Sequence, residues 1–332
     1  MLIAYVALLI GCTGSTIQTD TDYKTGTGTL QLSFDSQFPP QSLMENEQSA
    51  VVVVAKNSGG YSIPSGKLLL TTDDSVFYIG TKDAFDQNSK PTNIVGLVKG
   101  SNRPFYGKSI ITPTGDQQSF SFNLYSLPLP QESQRRTATI TAYACFPYET
   151  FQHTSICIDQ DPYKTKTSSQ IKPACTAQDV SVDSGGGPVN VQTVQSRFDQ
   201  TPQGDITPSF YFTIEGSTYV KLFAPGDENA FCDAQQIVAK THDTVYFTAS
   251  LSDKPLVCDG LTLVQGYSTA LNPTYVVQLQ DGQTKISCKT EQPIFSSVGD
   301  PLGNYLAPLT INMTYGVVST ASRSVEVTTL SQ

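Results

Sequence analysis

Few residues in this 332-residue chain have the types and spacing that catalysis requires. Its two histidines are His153 and His242, and His242 is followed by Asp243. A Ser-His-Asp triad is defined by geometry and not by chain order, but no G-x-S-x-G nucleophile motif accompanies either histidine. Ser169-x-x-Lys172 matches the nucleophile pair of penicillin-binding enzymes, but it lies in a polar connector before a proline. We therefore interpret these residues as structural and expect no catalytic site.

Acidic pairs are the other candidates for chemistry. They occur at positions 20/22, 73/74, 159/161 and 227/228. Ca²⁺ takes six to eight oxygen ligands, often from loop carboxylates. Asp159 and Asp161 lie in a predicted connector, where Ca²⁺ would stiffen a junction. The EF-hand spacing is missing, so a solvated turn is the preferred interpretation, and we expect no metal and no cofactor.

The N-terminus has the pattern of an export signal. Residues 2–10 are almost entirely apolar, too short a run to span a membrane as a helix. The run ends in Leu9-Ile10-Gly11-Cys12, which resembles a lipobox with Cys12 as the lipidated residue. We expect residues 1–11 to be a signal-like segment and residues 12–29 a flexible tether. A departure from the pattern is that no Lys or Arg precedes the run. An ordinary cleaved signal and a retained apolar arm within an assembly are the alternatives.

Six further cysteines suggest disulfides, because an even count in an exported chain is typical of them. Six cysteines allow 15 pairings, and the sequence alone does not select one. We favour pairs that close loops within one part of the chain, which leaves the third pair to join the two halves. The favoured pairs are Cys157–Cys175, Cys258–Cys288 and, by elimination, Cys145–Cys232.

Composition and strand patterns predict an all-β fold. The formal charge is −9 and the pI about 4.7, which argues against a nucleic-acid-binding protein. Short alternating segments separated by turn residues recur along the chain, as in β-sandwiches. Asp281-Gly282 between two such segments predicts a type I′ hairpin. We also expect a hairpin that turns at Pro147, and a last strand that returns after Gly316.

Strand patterns and changes in composition suggest two tandem β-sandwich domains. We place the first at residues 30–158, a connector at 159–187 and the second at 188–332. Three consecutive glycines at 185–187 are interpreted as a hinge. Asn312-Met313-Thr314 is an N-glycosylation motif on the polar face of a predicted strand.

Parts of the sequence resemble known surface proteins. Residues 50–70 resemble the start of the CARDB-like immunoglobulin-like modules of prokaryotic surface proteins, which have the form V-x-V-x-V-x-N-x-G. The stretches 144–150, 156–159, 174–181, 186–191 and 306–316 resemble uncharacterised secreted proteins of archaea with small genomes. The resemblance covers roughly residues 30–330. It implies a cell-surface protein of two tandem immunoglobulin-like β-sandwich domains, with no catalytic activity.

Three functions follow as hypotheses. The first is a non-enzymatic structural or adhesive protein of the cell surface, anchored through its N-terminus, that self-assembles into a filament or surface layer. Its partners would be other copies of itself or other surface proteins, with no nucleic acid. The second is a lipid-anchored module that binds a glycan or another ligand. The third is a secreted hydrolase on a sandwich scaffold.

Overall fold

A computed structural model describes residues 23–98, 103–163, 174–200, 205–226, 232, 243–269, 272–294 and 304–329. Several sequence-based predictions lie outside these residues: the signal-like segment, Cys12, the Ser169-x-x-Lys172 pair, the acidic pair at 227/228 and His242. Within the described residues, no helix is long and apolar enough to cross a membrane.

The fold is almost entirely β-structure, as predicted. The strands of the first half are β1 (Leu30–Phe34), β2 (Ser42–Met44), β3 (Gln48–Asn57), β4 (Lys67–Thr71), β5 (Phe77–Ile79), β6 (Ile94–Gly96), β7 (Gln117–Ser126) and β8 (Arg135–Ile158). One short helix, α1 (Lys82–Asp86), begins where the Thr81 side chain accepts a hydrogen bond from the Ala84 amide.

The strands of the second half are β9 (Val180–Ser181), β10 (Val189–Gln200), β11 (Ile206–Gly216), β12 (Lys221–Phe223), β13 (Thr244–Leu251), β14 (Lys254–Cys258), β15 (Thr262–Leu263), β16 (Tyr275–Gln278), β17 (Gln283–Thr290) and β18 (Tyr305–Thr328). The predicted Asp281-Gly282 turn is present between β16 and β17. Both turn residues have positive φ, 52° and 79°, as a type I′ turn requires. The two strands then diverge, because β16 pairs with β13 whereas β17 pairs with β11.

Strands β8 and β18 form the spine of the molecule. They pair antiparallel without a register shift over 24 positions, from Arg135↔Thr328 to Ile158↔Tyr305. Along its other edge β18 pairs in turn with β13, β12 and β2. A strand that the sequence assigned to the first half therefore extends into the second, and a strand of the second extends into the first.

This spine replaces the two hairpins that the sequence predicted. Pro147 does not end β8, which continues to Ile158 in register with β18. The pairing of β4 along the other edge of β8 ends at Cys145, two residues before this proline. Gly316 does not begin a turn either. It allows close packing, since a Cβ there would lie 2.0 Å from the Phe223 ring. Both predicted hairpins are wrong.

The spine divides the molecule into two regions. The first region contains the sheet β1-β3-β7-β5, strands β2, β4 and β6, and the spine residues 135–146 and 316–328. The second region contains strands β9 to β17 and the spine residues 147–158 and 305–315. One continuous apolar core includes residues of both regions, such as Val51, Ile140, Phe212 and Ile311. The all-β class is thus present, but strand pairing and core cross the domain boundary expected at 159–187.

Candidate functional site

The two regions meet at a seam of glycines. The Gly59-Gly60 turn follows β3 and packs against residues 185–187, where the Gly60 amide donates a hydrogen bond of 2.7 Å to the Gly186 carbonyl. A Cβ on Gly59 would lie 1.8 Å from Oη of Tyr148, and one on Gly187 would lie 2.1 Å from Oγ1 of Thr150. The glycines permit this close approach of backbones. The prediction of a hinge at 185–187 is wrong, because these residues are buried and packed.

Two buried tyrosines of the spine form hydrogen bonds at this seam. Oη of Tyr148 lies 3.0 Å from the Gly186 carbonyl, to which it donates, and accepts a hydrogen bond of 3.3 Å from the Tyr61 amide. Oη of Tyr315 lies 2.6 Å from Oγ1 of Thr150. Burial raises the pKa of both Tyr148 and Tyr315 well above the ordinary value, since each phenolate would lose its hydration. The seam is therefore a closed, neutral hydrogen-bond network.

Gln152 and Asn190 complete the network from β8 and β10. Gln152 accepts a hydrogen bond of 2.7 Å from the Val191 amide and donates one of 2.7 Å to the Asp183 carbonyl. Asn190 accepts from the Gly185 amide at 2.7 Å and donates to the Gly187 carbonyl at 2.6 Å. These side chains satisfy backbone groups that no strand satisfies here, which holds the connector in one conformation.

A groove runs along the outer edge of β1, next to this seam. Its cavity volume is about 450 Å³. β1 pairs with β3 on one side and ends the sheet on the other. The Thr29 carbonyl and the Asp35 amide bond toward β3, whereas the Leu30 carbonyl accepts a hydrogen bond of 2.6 Å from Ser319 on the outer side. By the alternation of an antiparallel ladder, the backbone groups of Leu32 also point outward into the groove.

The walls of the groove are uncharged. The residues that line it are Thr27, Gly28, Thr29, Leu30, Gln31, Leu32, Pro188, Ser217, Tyr219, Val220, Ser319 and Thr320. Tyr219 stands at the rim with 93% of its surface exposed. The groove thus combines an open strand edge, several hydroxyl groups and one exposed aromatic ring, in a protein whose net charge is −9.

A second, smaller cavity has a volume of about 320 Å³. Lys24, Phe151, His153 and Asp183 are among the residues that line it. His153 is exposed, and its ring centroid lies 6.4 Å from that of Phe151. The described residues provide no cluster of three or more His, Cys, Asp or Glu side chains that would hold a metal ion.

The candidate calcium pair and the candidate glycan site occupy ordinary structural positions. The carboxylate of Asp159 accepts a hydrogen bond of 2.9 Å from the Asp161 amide, as in an Asx turn. Asn312 lies inside the spine, where its amide nitrogen donates to Glu149 at 2.6 Å and its Oδ1 is shielded from solvent. The nitrogen that would carry a glycan is therefore engaged, which argues against modification of the folded chain.

The six cysteines of the described residues form three disulfides. They are Cys145–Cys232, Cys157–Cys175 and Cys258–Cys288, the same pairs that the sequence favoured. Disulfides persist in oxidising environments and are rare in the cytosol. Three of them in one chain indicate an extracellular protein.

Comparison with known proteins adds little to this description. No family model and no curated protein matches the chain. Among solved structures, the MSCRAMM ACE of Enterococcus faecalis, described as binding its ligands by a collagen hug, has 8% identity and a TM-score of 0.20, and the match covers 92% of this chain and 97% of that one. A manganese lipoxygenase of Gaeumannomyces graminis with a partial zonadhesin of Komagataella pastoris has 8% identity and a TM-score of 0.12, covering 90% and 92%. TM-scores this low support no conclusion about this chain.

The sequence did not point to the groove. Its walls come from residues 27–32, 188, 217–220 and 319–320, which are far apart in the chain. The alternation of Leu30, Leu32 and Phe34 with polar residues predicts a strand there, but it does not show that one edge of the strand is left uncovered.

Proposed function

We propose that this is a non-enzymatic structural or adhesive protein of the cell surface, which self-associates by adding an extended segment of a second copy to the edge of β1. The observation that carries the proposal is the uncharged groove along an open strand edge. Unpaired backbone groups on an edge strand accept an extended chain through main-chain hydrogen bonds, and pockets beside the edge select its side chains.

Charge favours a partner segment without ionised groups. Two copies each carry −9, so their surfaces repel unless the contact lies where charge is absent. The groove meets this condition. The chain also contains an uncharged segment, because no Asp, Glu, Lys or Arg occurs before Asp20. If residues 1–11 are retained, residues 2–6 offer a β-prone segment of this kind.

Two matched pairs of variants test the strand edge. Leu32→Pro and Leu32→Ala both remove the side chain, but only Leu32→Pro removes the outward amide. Gln31→Glu places a charge in the groove, whereas Ser33→Glu places one on the same exposed face of β1 outside it. We expect Leu32→Pro and Gln31→Glu to weaken self-association by about tenfold relative to their controls, because the first removes one hydrogen-bond donor and the second adds a charge that the contact must desolvate. Sedimentation velocity over a range of concentrations measures this. A wild-type chain that stays monomeric at the highest concentration contradicts the proposal.

A glycan-binding module is the second candidate, and the exposed Tyr219 favours it. An aromatic ring beside several hydroxyl groups is a surface on which a sugar can stack and hydrogen-bond. Tyr219→Ala would then abolish binding on a glycan array, while Leu32→Pro would leave it intact. The opposite pattern, loss of self-association with Leu32→Pro and none with Tyr219→Ala, supports strand addition.

Anchoring through Cys12 is part of the proposal. One acyl chain gives only marginal membrane binding, so a stable anchor needs two or more signals. The intact mass of the native chain decides this point. A chain that begins at Cys12 with added acyl groups supports the anchor, and a chain that retains residues 1–11 favours the assembled arm.

A further inference from the structure

A second exposed feature lies on a different loop, between β6 and β7. Ile110 and Ile111 are 50% and 86% exposed, and Tyr106 is exposed beside them. Large branched side chains are seldom left in water as adjacent residues on a soluble protein, and such an apolar patch marks a contact with another surface.

The two isoleucines are held in place by an ordered turn. The Ser109 amide donates to the Thr112 carbonyl at 3.1 Å, and the amides of Ile111 and Thr112 both donate to Oγ of Ser109, at 3.3 and 3.0 Å. Oγ1 of Thr112 donates to the Gly107 carbonyl at 2.8 Å. The 109–112 turn therefore presents its apolar tip at little further cost in conformational entropy.

Basic residues surround the base of this turn, although the whole chain is acidic. Lys108 precedes the turn, and its amide donates a hydrogen bond of 2.7 Å to the Gly59 carbonyl. Arg103 lies 5.4 Å from the centroid of the Tyr106 ring and 3.7 Å from Asp116. Lys24 lies against the neighbouring glycine, since a Cβ on Gly60 would lie 2.9 Å from its Cα. Lys108 thus adjoins the turn along the chain, and Lys24, Arg103 and Asp116 lie next to residues that border it.

The N-terminal segment leaves the described structure at the same place. Lys24 and Lys108 contact adjacent residues of the Gly59-Gly60 turn. Lys24 lies twelve positions after Cys12, and a chain of that length spans at most about 40 Å. A lipid on Cys12 would therefore keep this end of the protein close to the membrane.

We propose that the 109–112 turn inserts Ile110 and Ile111 into the interfacial layer of a lipid bilayer, with Lys24, Arg103 and Lys108 facing anionic headgroups. An apolar tip flanked by cations is the combination that binds at a membrane surface. The turn supplies the second membrane contact that a marginal lipid anchor needs. The inference rests on the anchoring part of the proposed function for its orientation, and it is independent of the β1 groove.

A tryptophan reporter tests insertion directly, because the chain contains no Trp. In the full chain, Ile111→Trp places one fluorophore at the tip. Leu263→Trp is the matched control, since Leu263 is 51% exposed on β15 in the second region. The probe is vesicles of phosphatidylcholine with one third phosphatidylglycerol. We expect the Ile111→Trp emission to shift to shorter wavelength and to be quenched by brominated lipid tails, and the Leu263→Trp emission to stay unchanged.

Each other outcome overturns the inference. In the first, the Ile111→Trp chain co-sediments with vesicles while its tryptophan emission stays that of an exposed indole. That result would mean that the N-terminus alone binds the membrane. If the emission shifts with protein concentration and without vesicles, the tip docks onto a second copy instead. Removal of both apolar side chains by Ile110→Ser/Ile111→Ser should weaken vesicle binding roughly tenfold or more, while Leu263→Ser should not. The intact mass reports on the anchor separately, so failure of the anchor and failure of the turn are distinguishable.

Discussion

The two regions of this molecule are stabilised in different ways. The first region contains a single cysteine, Cys145, so no disulfide lies within it. Its central strand β3 carries Val51, Val53 and Ala55, all fully buried. The second region contains two internal disulfides, and only the first half of its long strand β10 is well buried. The second region also has an apolar core, with Phe210, Phe212 and Phe247 fully buried, and its disulfides add covalent links to that packing.

The largest expected effect on stability comes from removing a disulfide of the second region. Cys258→Ala/Cys288→Ala opens a link between residues 30 positions apart that joins β14 to β17. The free energy of unfolding should fall by roughly 3 kcal/mol, because the unfolded chain regains loop entropy. Hydrogen exchange should show earlier opening of β14 and β17 than of β3 and β7. Equal loss of protection in both regions would show that this disulfide does not stabilise the second region selectively.

A glycine substitution tests whether the regions unfold together. Gly59→Ala forces a Cβ to within 1.8 Å of Oη of Tyr148 and 2.4 Å of the Gly28 carbonyl. The expected loss is about 2–3 kcal/mol, typical of an overpacked site. Gly96→Ala is the control, since its Cβ would meet only the Val98 carbonyl at 3.6 Å. Urea denaturation followed by circular dichroism should show one transition at a lower midpoint. Two separate transitions would mean that the seam does not couple the regions.

Alkaline pH should weaken the seam itself. The pKa of Tyr315 is raised by burial, so above about pH 10 the unfolded chain releases a proton that the folded chain keeps. Stability therefore falls as pH rises, by up to about 1.4 kcal/mol per pH unit for one such tyrosine. Tyr315→Phe should give a shallower slope, whatever its effect at neutral pH. An unchanged slope in a series of urea titrations at increasing pH would rule out this role for Tyr315.

The smallest effect is expected for a surface ion pair of the first region. Lys82 and Asp86 lie 2.6 Å apart at i and i+4 of α1, with about half of each side chain exposed. The pKa of Lys82 is raised through its hydrogen bond to Asp86. Exposed pairs contribute little to folding. Lys82→Ala should therefore leave the denaturation midpoint within experimental error, and a clear shift would show that this region depends on more than packing.

The sequence predicted the short-range features of the fold. Alternation of apolar and polar residues identified β1, an unbroken β-branched run identified β3, and Asp281-Gly282 identified a turn whose φ angles depend on those two residues. The favoured cysteine pairs coincide with the disulfides of the structure. The sequence-based predictions were wrong where a residue type is compatible with more than one local structure. Pro147 and Gly316 are typical of turns, and three glycines at 185–187 are typical of a hinge. The structure that these residues adopt depends instead on residues far away in the sequence that pack against them.

All-β character, strand positions and tight turns were determined by the sequence itself, because they depend on side-chain periodicity and on the φ preferences of single residues. The partners of the strands were decided only by the tertiary structure. A strand carries hydrogen-bonding groups on both edges, and nothing local to β8 specifies that it pairs with β18, 147 to 193 residues away along the ladder. The same holds for the groove along β1 and for the turn at 109–112. Their exposure depends on which strands and loops do not cover them.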